Sequence, residues 1–190
     1  AISCTGSGEF FIRGVVAYDV ACLMEHKNMS LEDASYEVIH KRILEIGGDG
    51  GLIAVDTKGN IAMPFNTEVA IIEMGANHVG EIKSLCSIAQ PTHGLITNIG
   101  KAHLEGFGGI EGVIKGKKEL YDFIEERNGE LFVNADDALL MKLSANLKRS
   151  TFGTNAESQV QGLMLKKGQI VAFQFSNSDK TSGIITSKLV

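Results

Sequence analysis

The sequence has little of what several functional classes require. It carries a net charge of −5 and no long basic run, which argues against nucleic acid as a partner. No apolar run approaches the ~20 residues that a membrane-spanning helix needs. The cysteines Cys4, Cys22 and Cys86 are widely spaced and stand in apolar or helical surroundings. They predict thiols of the core and argue against a disulfide framework or a CxxC metal site.

The start of the chain has no recognisable targeting segment. It begins at Ala1 without an initiator Met, and no basic stretch followed by an apolar one marks an export signal. We therefore expect a cytoplasmic protein, truncated within a strand. With 190 residues and 44% hydrophobic content, the chain can bury a real core as one domain or as two small ones.

Hydrophobic periodicity predicts different secondary structure before and after residue 68. Up to residue 68 it predicts two helices and a β-hairpin, the second helix capped by Ser30 and ended by Gly47 and Gly48. After residue 68, strands alternate with helices, which indicates a parallel sheet of βαβ units. The predicted helices cover 10–27, 31–46, 79–89, 110–127 and 137–147; the predicted strands cover 52–55, 61–63, 69–73, 95–99, 130–134, 151–152, 162–165 and 170–175. Residues 176–190 form a polar tail of uncertain order.

Two phrases carry most of the functional information. Residues 69–78 read VAIIEMGANH, and residues 96–108 read ITNIGKAHLEGFG. In each, an apolar run of strand length ends in glycine next to an acid or an imidazole. Buried parallel strands deliver polar groups in this way to the carboxyl edge of a sheet, where open α/β proteins bind ligands.

These phrases resemble the central, ATP-binding domain of the Mur ligases, and the resemblance extends from residue 69 to about 175. It implies a Rossmann-like parallel sheet and an ATP-dependent amide-bond ligase of peptidoglycan synthesis. The implied cofactors are Mg²⁺ and ATP. The implied substrates are small molecules, a UDP-muramoyl tripeptide and D-alanyl-D-alanine.

The resemblance also assigns roles to individual residues. Glu73 and His103 match the metal ligands of the family, Asn134 matches its adenine-contacting asparagine, and Asn98 and His78 are placed near the nucleotide. A single histidine is ordinarily a core or surface residue, and imidazole is an unusual ligand for magnesium. The phrase around His103 nevertheless favours a ligand. Asp136 and the residue after it could simply cap the next helix.

Lys117 is singled out by helical phase as well as by resemblance. On the helix predicted over 110–127 it falls near the centre of the apolar stripe, whereas Lys115 points away from that stripe. A buried ammonium group is costly to desolvate. The resemblance implies a catalytic role, in which the lysine is carbamylated and becomes an oxygen ligand of the magnesium-phosphate assembly. The alternative is a lysine whose stem covers the core while its head reaches solvent.

The first 68 residues resemble a different family. The segments that carry the resemblance are residues 3–13, the glycine-rich stretch 47–56 and residues 64–68, and they are similar to the C-terminal part of plant-type asparaginases and isoaspartyl peptidases. Those enzymes are αββα hydrolases with an N-terminal threonine nucleophile. The resemblance implies that Thr5 supports the nucleophile, that Gly6 helps to form the oxyanion hole, and that Gly8 keeps the backbone close to substrate. Taken alone, residues 5–8 could be a turn before a helix.

The sequence therefore predicts a chimera of α/β class, with an asparaginase-like fragment at 1–68, a Mur-ligase-like fragment at 69–175 and a polar tail at 176–190. No G-x-x-x-x-G-K-[ST] phosphate loop occurs, and Ala1 has no side-chain nucleophile. We expect a ligase fragment without full turnover, for which nucleotide binding is doubtful. Two alternatives stay open: an asparaginase-like hydrolase fragment, and an inert fusion or mistaken assembly. No nucleic-acid or membrane partner is expected.

Overall fold

The computed structural model describes residues 1–101, 103–166, 170–177 and 181–188. They form two compact units, Ala1–Glu73 and Met74–Val190. Each unit has its own sheet and its own hydrophobic core. The mixed α/β architecture predicted from the sequence is confirmed.

The first unit is a three-stranded antiparallel sheet with helices packed against it. The strands are β1 (Ile2–Gly6), β2 (Gly50–Val55) and β3 (Ile61–Ala62), in the order β1-β2-β3. The helices are α1 (Gly8–Arg13), α2 (Val16–Lys27), α3 (Leu31–Glu37), a π-helical turn at Val38–Arg42, and α4 (Ile43–Glu45). The predicted hairpin is therefore confirmed as β2 and β3.

The helix predicted over 10–27 is wrong in one respect, because it is two helices. The break falls at Gly14 and Val15, and Val15 has a left-handed φ of 47°. A Cβ atom on Gly14 would lie 2.8 Å from the Ile43 side chain. The glycine therefore lets the chain at this turn lie close to Ile43 of α4. The cap at Ser30 is confirmed, since its Oγ accepts the Asp33 N–H at 3.0 Å.

The second unit is a six-stranded sheet in the order β4-β5-β6-β7-β8-β9. Strands β4 to β7 run parallel and β7 to β9 antiparallel. Its elements are α5 (Glu81–Ala89), β4 (His93–Leu95), α6 (Leu104–Phe107), α7 (Ile110–Glu126), β5 (Glu130–Asn134), α8 (Ala138–Leu143), β6 (Arg149–Gly153), β7 (Val160–Lys166), β8 (Ile170–Asn177) and β9 (Ser182–Lys188).

Helix α7 organises the core of the second unit. Its residues Tyr121 and Ile124 pack with Leu131 and Val133 of β5. On the neighbouring side, Phe123 packs with Ile82 and Cys86 of α5. Helix α7 thus lies between the sheet and α5, as the amphipathic pattern of 110–127 predicts.

The strand predicted at 69–73 is wrong. These residues form no strand, and their side chains are exposed, with Ile71 at 94%. The strand predicted at 95–99 is displaced to His93–Leu95. Strand β4 lies at the edge of the sheet and pairs with β5 only over three residues, so no ladder holds the chain beyond Leu95 in a strand.

Other differences are smaller. Helix α8 is shorter than predicted, and residues 167–169, which separate the predicted strands 162–165 and 170–175, lie outside the described residues. Within the expected polar tail, Ser182–Lys188 pairs with β8 as a strand. The core-thiol prediction is right only for Cys86, because Cys22 is half-buried and Cys4 is exposed. Among the described helices, none has the length and apolar character needed to span a bilayer.

Candidate functional site

The carboxyl edge of the parallel sheet brings several predicted residues to one side of the second unit. Strands β4 and β5 are parallel, so the chain leaves both at the same edge. The segment after β4 carries Asn98 and His103, and β5 ends at Asn134. The Lys117 Nζ donates a hydrogen bond to the Asn98 carbonyl oxygen at 2.7 Å. Lys117 is half-buried and Lys115 is exposed, as helical phase predicts.

His103 lies immediately before the short helix α6. It is exposed and has a left-handed φ of 57°. Helix α6 is fixed to α7 by the buried side chain of Phe107. A Cβ on Gly112 would lie 1.8 Å from the Phe107 carbonyl oxygen, and one on Gly116 would lie 2.5 Å from its ring. The two glycines of α7 therefore allow the contact that holds the segment after His103.

His78 belongs to the loop that leads into α5. Its Nδ1 lies 3.1 Å from the Glu81 Oε1. The other oxygen of Glu81 accepts the backbone N–H groups of Asn77 at 2.7 Å and of His78 at 3.2 Å. These hydrogen bonds, that of Asn77 first, lower the pKa of Glu81. The Glu81 carboxylate therefore fixes both the loop and one nitrogen of the His78 ring.

A second carboxylate, that of Glu119 on α7, reaches the same region. It accepts the N–H of Gly80 at 2.6 Å and the N–H of Lys83 at 2.9 Å. These are unpaired donors at the start of α5, where a negative charge is also favoured by the helix dipole. The N-terminus of α5 is thus capped from a neighbouring helix.

Asn134 is half-buried at the end of β5, and its Oδ1 accepts the Asp136 N–H at 3.0 Å. Asp137 caps α8, as the alternative interpretation predicts, by accepting the N–H groups of Leu139 and Leu140 at 2.9 and 3.0 Å. Asp136 does not cap the helix.

The Asp136 carboxylate instead binds the loop after β6. It accepts the Thr154 N–H at 2.7 Å, the Thr154 hydroxyl at 3.0 Å and the Asn155 N–H at 3.2 Å. These hydrogen bonds, that of the Thr154 N–H first, lower the pKa of Asp136.

Glu73 is the last residue of the first unit and is exposed. The sequence places it at the end of a buried strand, and that strand does not form. Within the residues that the structure describes, no group of three or more His, Cys, Asp or Glu side chains could hold a metal ion. Magnesium is commonly held by one or two carboxylates together with water and phosphate oxygens, so a sparse donor set suits it. The ligand roles of Glu73 and His103 stay predictions.

The hydrolase-like residues lie together in the first unit. Thr5 pairs with Gly51 across β1 and β2, and Gly6 pairs with Gly50. A Cβ on Gly6 would lie 2.3 Å from the Asp49 carbonyl oxygen, so the two backbones cross closely there. Ser7 donates its hydroxyl to the Asp49 carboxylate. Gly8 begins α1 with open space where a Cβ would stand.

Two residues that hold the candidate site in the second unit, Glu81 and Glu119, are not predicted from the sequence. Glu81 follows His78 by three residues, the spacing at which a glutamate reaches back to the residues that begin a helix. Glu119 is separated from Gly80 by 39 positions, and no local pattern signals that pairing. Only the packing of α5 on α7 brings them together.

Comparisons with known proteins divide the chain in the same way. Residues 1–82 match the asparaginase family, and residues 57–190 match the Mur ligase middle domain. An isoaspartyl peptidase of Salmonella typhimurium is 56% identical over 68 residues, which are 36% of this chain and 22% of that protein. The UDP-N-acetylmuramoyl-tripeptide--D-alanyl-D-alanine ligase of Bacillus subtilis is 37% identical over 101 residues, 53% of this chain and 22% of that protein.

A solved structure supports the second assignment. The crystal structure of MurF from Acinetobacter baumannii matches 64% of this chain with a TM-score of 0.54 and 30% sequence identity. The match covers 27% of that protein. The two resemblances found in the sequence, asparaginase-like first and Mur-ligase-like after it, are confirmed.

Proposed function

Because the chain belongs to the Mur ligase middle-domain family over residues 57–190, we propose that it carries the metal- and nucleotide-binding edge of an ATP-dependent amide-bond ligase. The proposed reaction belongs to peptidoglycan synthesis and joins D-alanyl-D-alanine to a UDP-muramoyl tripeptide through an amide bond. The chain spans about a fifth of the curated relatives that it matches, 22% in the case of the Bacillus subtilis ligase. The activity and substrates of a whole ligase are therefore part of this proposal.

One observation carries the proposal, the hydrogen bond from Lys117 to the Asn98 carbonyl at 2.7 Å. Asn98 follows the last residue of β4, Leu95, and Asn134 ends β5, so the bond supports a positive charge near the edge at which both parallel strands end. Open α/β sheets bind ligands at this edge. A cation there suits the phosphates of a nucleotide.

Each proposed residue has a chemical task. Glu73 and His103 would hold magnesium, whose charge neutralises the crowded phosphate oxygens when it is bound. Lys117 binds phosphate as an ammonium group, or becomes a metal ligand once carbamylated. Asn134 has its Oδ1 engaged by the Asp136 N–H, and its amide nitrogen is the group proposed to meet adenine.

We do not expect this chain to complete a catalytic cycle by itself. Its 190 residues contain no G-x-x-x-x-G-K-[ST] loop, whose backbone N–H groups and lysine hold the β- and γ-phosphates in many ATPases. We propose weak binding of divalent cations without productive ATP hydrolysis.

Manganese titration followed by paramagnetic broadening of amide resonances tests the metal site. Mn²⁺ should broaden the amides of Lys101 and Leu104, which flank His103 in the chain. The variants Glu73→Gln and His103→Ala should each lose this broadening.

Two matched controls should retain the broadening. Glu68→Gln changes another exposed carboxylate of the same segment, and His93→Ala changes an exposed histidine at the opposite end of β4. Equal broadening in all five proteins would remove Glu73 and His103 from the proposal.

A further inference from the structure

Three separate segments of the second unit bear the predicted site residues His78, Asn98 and His103. They are the 77–80 loop with His78, the segment after β4 with Asn98, and the start of α6 with His103. The structure connects all three to a single element, helix α7. Loops carry functional groups accurately only when a rigid element holds them.

The contacts to α7 are distinct for each segment. Lys117 donates a hydrogen bond to the carbonyl oxygen of Asn98. Gly112 and Gly116 have no side chain, and so leave room for Phe107 of α6 to pack against α7. Glu119 accepts the N–H groups that close the 77–80 loop, from Gly80 at 2.6 Å and from Lys83 at 2.9 Å.

The 77–80 loop also meets α6 directly. A Cβ on Gly106 would lie 2.5 Å from the Asn77 carbonyl oxygen and 3.4 Å from the His78 Nε2. The loop is therefore confined between the start of α6 and the carboxylate of Glu119. A displacement of the loop would change where the His78 ring stands.

From these contacts we infer that Glu119 is a positioning residue of the site: its carboxylate fixes the 77–80 loop, and so His78, relative to Lys117 on the same helix. The inference rests on the proposed function for the role of Lys117 and on the family resemblance for the placement of His78 near the nucleotide. The two side chains are two residues apart on a helix whose interior packing is tight, so loop and lysine share one rigid support.

The geometry requires the carboxylate specifically. Two oxygens accept two backbone N–H groups, and the negative charge lies at the N-terminus of α5, where the helix dipole favours it. A glutamine at this position keeps the length and one acceptor oxygen but loses the second acceptor and the charge.

The test compares Glu119→Gln with Glu126→Gln, a change of an exposed carboxylate in the last turn of the same helix. In Glu119→Gln, amide hydrogen exchange at Gly80 and Lys83 should quicken by about tenfold, which corresponds to a loss of ~1.4 kcal/mol in local protection. Glu126→Gln should leave both rates unchanged. Unchanged rates in Glu119→Gln would overturn the inference.

A second readout separates positioning from local stability. The 77–80 loop packs on Gly106 of α6, the helix that His103 begins, so release of the loop should also disturb the proposed metal ligand. Manganese binding, measured as the concentration that half-broadens the Leu104 amide, should weaken by about tenfold in Glu119→Gln while the thermal midpoint stays at that of Glu126→Gln, as happens when residues that orient a metal site are changed. Unweakened binding would show Glu119 to be only a helix cap. A wild-type chain that binds no manganese would contradict both the proposed function and the positioning role, whereas the exchange rates would still report whether Glu119 holds the loop.

If Glu119→Gln does not fold, the wild-type chain still decides the geometry. Scalar couplings across hydrogen bonds should connect the amide nitrogens of Gly80 and Lys83 to the Glu119 carboxylate carbon. Their absence in well-resolved spectra would overturn the inference.

Discussion

Lys117 and Asn98 are joined by a hydrogen bond of 2.7 Å from an ammonium group to a backbone carbonyl. Both interpretations of this lysine, a carbamylated metal ligand and a stem that covers the core, stay predictions. The side chain is half-buried, and its ammonium group is bound to the segment after β4. A charged donor is thereby held at the carboxyl edge of the sheet.

This position makes Lys117 the lysine to test for carbamylation. Bicarbonate at mildly alkaline pH should add a carbamate signal in ¹³C NMR that is lost in Lys117→Met and kept in Lys115→Met, because Lys115 is exposed and points away from the site. Lys117→Met should also lower the free energy of unfolding by about 1 kcal/mol, and Lys115→Met should change it by less than about 0.5 kcal/mol. A carbamate signal that survives in Lys117→Met would refute the assignment.

Gly112 offers a sharp test of how α6 is held. Alanine there would bring a Cβ within 1.8 Å of the Phe107 carbonyl oxygen, so α6 would have to move. We expect Gly112→Ala to lower the free energy of unfolding by about 2 kcal/mol or more in a urea titration, although alanine favours helices.

The control is Gly75→Ala, since a Cβ on Gly75 meets no atom within 4 Å. It should be neutral, or stabilise the protein by about 0.4–1 kcal/mol through the unfolded chain. Equal effects of the two substitutions would contradict the contact between α6 and α7.

Sequence reasoning succeeds where the pattern is local and long. Helix α7 and strand β5 follow from apolar periodicity, and the Ser30 cap follows from spacing. It fails at residues 69–73, which form no strand. A run of Val and Ile predicts a strand from residue type alone, whether or not a partner strand is available. Glu119 could not be found either, because its partners are distant in the sequence and only tertiary packing selects them.

The alkaline stability of the chain should depend on Tyr121. Its side chain is fully buried, its hydroxyl has no hydrogen-bond partner within the part of the chain that the structure describes, and burial raises its pKa to about 12. An unfolded tyrosine ionises near pH 10. The contribution of Tyr121 to the free energy of unfolding is therefore fully present below about pH 10 and is lost as the pH rises towards 12.

Tyr121→Phe should therefore flatten the fall in unfolding free energy between about pH 10 and pH 12. At neutral pH it should be neutral or stabilising by about 1 kcal/mol, because it removes a buried hydroxyl without a partner. Tyr36→Phe, at an exposed tyrosine, is the control. An unchanged alkaline slope in Tyr121→Phe, measured by urea titration at each pH, would contradict this role.

The asparaginase-like unit should show no amide hydrolysis in this chain. By resemblance Thr5 and Gly6 are accessory to a covalent nucleophile, a role assigned to no residue of these 190, and hydrolases of this kind work ~10⁶-fold more slowly without it. Incubation with asparagine or an isoaspartyl dipeptide should release no more ammonia than a Thr5→Ala control. A rate clearly above that control would favour the hydrolase as the function of this chain.

Nucleotide is proposed to bind at the carboxyl edge of the second unit. Titration of the ¹⁵N-labelled chain with ADP and magnesium measures this directly, through amide shifts that are assigned residue by residue. Shifts should concentrate at Asn98, Leu104 and Asn134, while His93 and Glu130 at the opposite end of β4 and β5 stay unchanged. Shifts confined to His93 and Glu130 or to residues 1–66, or no shifts at saturating nucleotide, would contradict nucleotide binding at this edge.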